Sequence, residues 1–193
     1  MKPLVTLRRL RLEVDRTIRT RSFFARAIRD ELADEAYAEL LVQLAGLLRA
    51  LGSVDQEMSQ LALEDLESLG CPETPLPCPA VRLFGAAEPQ FRVLIPPGTD
   101  LDVGLTVIGT SWTLDAIQAM RSKSRRASAF LAELGARGPH SVNRLAQRLE
   151  RSGGDPGLVC AYAELARGAL LGIAEDLEQR WPANVFVGPI MRG

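Results

Sequence analysis

The sequence predicts an all-α, single-domain multi-helix bundle, and three observations carry that expectation. Apolar residues recur at spacings of three and four along most of the chain, the period of a helix with one buried face. Residues that cap or stop helices stand at the ends of these runs. Only one short segment, Phe91-Arg92-Val93-Leu94-Ile95, reads as strand-like, and no second run exists to pair with it, so it is expected to be packed loop. The 193 residues suffice for one continuous core, expected over residues 1–183 and followed by a tail at 184–193.

The first helix is expected over residues 4 to 20, with Leu4, Leu7, Leu10, Val14 and Ile18 on one stripe and arginines on the other face. Ser22 is placed to cap a second helix carrying Phe23, Phe24 and Ile28. Asp34 is placed to cap a third, where Tyr37, Leu40, Leu41, Leu44, Leu48 and Leu51 keep the period. Ser53 with Gln56 forms a capping box ahead of Val54, Met58, Leu61, Leu66 and Leu69, and Gly70 stops that helix. Seven of the twelve prolines fall between Pro72 and Pro97, which allows at most a short helix near Ala80 to Ala87. Asp100 opens a long helix through Leu105, Ile108 and Trp112 towards the cations Arg121, Lys123, Arg125 and Arg126. A helix with Phe130, Leu131 and Leu134 is expected to break at Gly135 and Gly138, leaving Ser141 to cap the next, with Val142, Leu145 and Leu149 inward. After Gly153 and Gly154, Asp155 as cap and Pro156 at the first helical position open a last long helix that runs to Trp181 and ends at Pro182.

Composition excludes several functions. With 23 basic and 24 acidic residues, the chain lacks the net positive charge that binds nucleic acid through its phosphates. The basic start is not followed by a signal-peptide core and no stretch is expected to span a membrane, so a cytoplasmic protein is expected. Cys71, Cys78 and Cys160 form no paired framework, and the C-x6-C spacing of the first two matches no usual metal knuckle. A single histidine, His140, rules out by counting any metal site that needs two imidazoles.

Several segments, in order, resemble the heme oxygenase superfamily. The arginine-rich first helix and RSFFARAIRDELADEAYAELLVQLAGLLRALGS are similar to that family's first three helices, with Tyr37 well placed. LALEDLESLG carries Asp65-Leu66 where the family has an Asp-Leu pair before a proline-rich connector, and GLTVIGTSW resembles the start of its distal helix. The likeness extends over roughly residues 7 to 181, and it implies heme, as substrate or ligand, held between the first helix and a glycine-rich distal helix. The sequence departs from the family twice. The proximal histidine should fall near Val14 or Asp15, where neither side chain replaces an imidazole. With Ser111 set on the family serine, the glycine positions become Thr110, Leu114 and Asp115, which narrows the space over the iron.

The resemblance therefore implies a cleft in which Arg8, Arg11, Val14 and Asp15 face Ser111 and Asp115, with Arg8, Arg11 and Arg167 as anchors for propionates. No catalytic residue and no protein metal ligand is assigned. Two functions stand side by side: a heme oxygenase, or at least a tetrapyrrole-binding protein, needing an electron donor if catalytic; and a non-catalytic scaffold for another apolar small molecule or a partner. A di-iron site fails for want of histidines. A thiaminase-like reaction needs an activated cysteine, and Cys160 in an apolar stretch is expected to be inert.

Overall fold

The apolar stripes pack inward on helices, as far as they are described, in the computed structural model, which describes residues 3–29, 31–51, 56–70, 78–92, 94–108 and 129–183. The helices are α1 (Pro3–Thr20), α2 (Ser22–Ile28), α3 (Asp34–Ala50), α4 (Gln56–Ser68), α5 (Pro79–Arg92), α6 (Thr99–Ile108), α7 (Ala129–Ser152) and α8 (Pro156–Arg180). No strand occurs among the described residues. Leu7, Leu10 and Val14 turn inward on α1, as Leu40, Leu41, Leu44, Leu47 and Leu48 do on α3.

At the centre lies α8, packed against α1, α2, α3, α5 and α6, while α6 and α7 form the most extensive helix pair. The Tyr162 hydroxyl of α8 donates to the Leu51 carbonyl at the far end of α3 (3.3 Å). The indole of Trp181, just past α8, donates to Glu39 near the start of α3 (2.6 Å). These two contacts set α3 and α8 antiparallel. Small residues bring the other helices in close: a Cβ on Gly172 of α8 would lie 2.3 Å from the Ala80 Cβ of α5. A Cβ on Gly104 of α6 would lie 2.9 Å from Leu51 Cδ1, so this glycine serves the packing of α6 on α3.

Buried polar side chains tie one helix to the start of another. Asp65 of α4 accepts from the backbone N–H groups of Ala129 (3.1 Å) and Phe130 (2.9 Å), capping α7 from outside its own chain segment. Gln43 of α3 accepts from the Cys78 N–H (2.8 Å) just ahead of α5. The half-buried Glu178 of α8 likewise accepts from Phe23 N–H and Ser22 Oγ (both 3.3 Å) at the start of α2.

Several sequence expectations are corrected. Ser22 is not a cap: Arg21 takes that position, and the serine hydroxyl turns to Glu178 instead. Asp34 is the first residue of α3, with Ala33 at the cap. The short helix expected near Ala80 to Ala87 extends over Pro79–Arg92 with Pro89 inside, so Phe91 and Arg92 are helical rather than loop. The break expected at Gly135 and Gly138 is absent, because α7 runs unbroken through Pro139. Just past the proline, Ser141 Oγ donates to the Gly138 carbonyl (2.6 Å) and meets Thr106 Oγ1 of α6 (2.7 Å). His140 consequently lies within a helix, not at a loop junction.

Other expectations hold. Gly70 adopts φ +68 after α4. Asp155 Oδ1 accepts from Gly157 N–H (2.7 Å), with Pro156 opening α8. The Ser53 capping box and the 184–193 tail lie outside the described residues. By length and composition α8 is apolar enough to cross a membrane, contrary to the expectation that no segment approaches a span. Its inward residues Val159, Tyr162, Ala163, Ala166, Leu170, Ile173, Ala174 and Leu177 are buried by neighbouring helices, which accounts for that apolarity.

Candidate functional site

On α1 the residues singled out by the resemblance divide between two faces. Val14 is 1% exposed and joins Leu7 and Leu10 in the core, whereas Arg11 and Asp15 are half-buried and Arg8 is exposed. The spacing of residues 8, 11 and 15 puts the two arginines and the aspartate on one flank of that stripe. The helix packs against α6, α7 and α8 as well as α2. The structure thus sets α1 beside α6, the helix that leads toward the expected distal residues. Thr110, Ser111, Leu114 and Asp115 themselves lie outside the described residues, so the opposite wall of the expected cleft is not described.

Arg167 is half-buried on α8, and its Nε donates to Glu164 (2.8 Å), a pair local to one turn. His140 is exposed on α7. Cys78 is buried and Cys160 half-buried, and in both burial pushes the thiol pKa up, the reverse of what a reactive thiolate requires. Cys71 lies outside the described residues. Among the described residues, no group of three or more His, Cys, Asp or Glu side chains could hold a metal ion.

A polar constellation that the sequence reading did not single out lies between α6 and α7. Asp102 is 2% exposed, yet it carries a carboxylate into the α6–α7 contact. Arg144 Nε donates to its Oδ1 (2.8 Å) and Arg148 Nη2 to its Oδ2 (3.2 Å), one turn apart along α7. Arg148 also donates through Nη1 to the Pro97 carbonyl (3.3 Å). Its guanidinium lies over Gly98, where φ is +73 and an added Cβ would come within 2.9 Å of Nη1. Arg144, Gln147, Arg148, Arg151 and Ser152 line a surface cavity of about 460 Å³. The signal was present as arginines at positions 144, 148 and 151, a helical i, i+4, i+7 pattern. It was hidden because an arginine-bearing helical face ordinarily reads as solvated surface, and only the tertiary contact shows that a buried carboxylate holds two of these side chains.

The fold and these contacts define a helical-bundle protein with a buried carboxylate–guanidinium cluster between α6 and α7. The chain matches no protein-family model, and no curated protein or solved structure is significantly similar to it.

Proposed function

We propose that this chain is a divergent heme-oxygenase-like scaffold that holds a tetrapyrrole, or another apolar and anionic small molecule, between α1 and the segment following α6. It does so without an imidazole from α1 on iron. Val14 carries this reading: where the resemblance asks for the iron ligand, a valine is buried in the same stripe as Leu7 and Leu10. Its neighbour Asp15 offers a carboxylate, so the residues present do not fit the family's mode of iron ligation. Arg8 and Arg11 support the anionic part of the reading, since long cationic side chains beside an apolar stripe suit the carboxylates of an apolar ligand. Binding without efficient ring oxidation follows, because attack at one ring carbon needs a ligand held in a single register.

The test is titration of heme into the purified protein, followed by addition of a reductase and oxygen. A broad, shifted Soret band with no release of biliverdin is expected. Stoichiometric binding with rapid biliverdin formation would overturn the non-catalytic reading, and an unchanged heme spectrum would remove tetrapyrroles as the ligand. Comparison of Val14→His with Asp15→His sets the register: one of the two should tighten heme binding by about tenfold, equivalent to ~1.4 kcal/mol.

A further inference from the structure

From the α6–α7 cluster we infer a second ligand site, separate in its residues from the α1 cleft, that takes a small phosphate monoester. Neutralising the buried Asp102 carboxylate requires one cation, yet both Arg144 and Arg148 are bound to it. Arg151 stands a further turn along α7, exposed, and lines the same cavity. Three guanidinium groups thus line the cavity while the carboxylate pairs with two of them, which leaves the wall with an excess of positive charge suited to a dianion.

The donors are oriented before any ligand arrives. Asp102 holds Arg144 through Nε, which leaves N–H donors on the Nη groups of that fork for a ligand. Arg148 is held at two points, by Asp102 and by the Pro97 carbonyl, above a glycine that leaves room for it. Holding these side chains in place removes much of the rotamer entropy that ordinarily weakens a surface arginine as a ligand. Gln147 and Ser152 add an amide and a hydroxyl to the wall. The Ser152 oxygen accepts from Gly154 N–H (3.3 Å), which leaves its hydroxyl proton to donate. The concavity of about 460 Å³ has room for a phosphate carried on a small organic body. Tetrahedral phosphate oxygens match several guanidinium forks converging from one helix face better than a planar carboxylate does.

The test uses the full chain and glycerol phosphate as the probe, with inorganic phosphate, succinate and chloride at matched ionic strength. Thermal unfolding and calorimetric titration supply the readouts. Glycerol phosphate should raise the melting temperature and bind with a Kd of about 1 mM or tighter. Arg151→Gln, a change at an exposed side chain, should keep the native circular dichroism and weaken that binding by at least about tenfold. Arg144→Gln, which leaves Arg148 on Asp102, should weaken it as well. No stabilisation beyond chloride, or equal binding by the Arg151→Gln protein, overturns the site. An equal response to succinate overturns the choice of phosphate. Binding to vesicles containing phosphatidic acid with no response to glycerol phosphate would overturn the small-molecule assignment in favour of a lipid headgroup.

Discussion

Asp65 does for α7 what a serine or aspartate at the cap position usually does for its own helix, but it does so from α4. Two charge-assisted bonds from a 2%-exposed carboxylate to otherwise unpaired N–H groups make it the side chain whose loss should be felt most. Asp65→Ala is expected to lower the unfolding free energy by about 2–3 kcal/mol, and Asp65→Asn by roughly half that, since an amide oxygen still accepts. Urea titration checks both, and an unchanged midpoint for the alanine variant would remove this cap from the stability of the fold. The sequence drew attention to Asp65 only by likeness to a family motif. Glu39, Gln43 and Asp102 drew none, although all are buried. A polar residue beside an apolar stripe looks the same in sequence whether it reaches solvent or a neighbouring helix end, and only the partner distinguishes the two.

Helix by helix, the apolar period located the buried faces, while proline and glycine misled about the ends. Pro89 and Pro139 each lie inside a helix, and each stands four residues after a glycine, Gly85 and Gly135. The carbonyl that a proline ring displaces therefore belongs to a residue without a side chain to hold it in place. The same element scale explains two glycines of α8 that look alike in sequence. A Cβ at Gly168 would meet nothing within 4 Å, whereas one at Gly172 would press on Ala80 of α5. Gly168→Ala should therefore stabilise by about 0.5–1 kcal/mol through reduced backbone entropy. Gly172→Ala should destabilise by about 1–2 kcal/mol, as overpacking outweighs the gain in helix propensity. Adding Ala80→Gly should recover much of the loss. Stabilisation by both single substitutions, measured in thermal melts, would show that α5 and α8 are not closely apposed.

At the scale of the whole molecule, α8 is the common neighbour: five other helices pack on it, and Trp181 at its end is tied to Glu39 of α3. With so many helices relying on one for burial, none has an independent core. The chain should unfold in a single cooperative step, with far-ultraviolet circular dichroism and tryptophan fluorescence changing together. Separated transitions would reveal a part that is stable without α8. The packing of five helices on α8 covers its inward stripe from Val159 to Leu177, one source of its apolar character.

What the sequence determined by itself was the all-helical class, most inward residues of the described stripes, the Asp155–Pro156 start of α8 and the Gly70 stop. All of these depend on contacts within a few residues of one another, where spacing and side-chain chemistry are sufficient. Tertiary structure alone decided that Gly135-x-x-Gly138-Pro139 lies within one continuous helix, and that Asp65 and Gln43 cap helices remote in sequence. It alone decided that Asp102 gathers Arg144 and Arg148 at one cavity. The reason is physical: a buried polar group must find its partner wherever packing brings a donor or acceptor within about 3 Å. That meeting depends on how helices cross, which local periodicity does not encode.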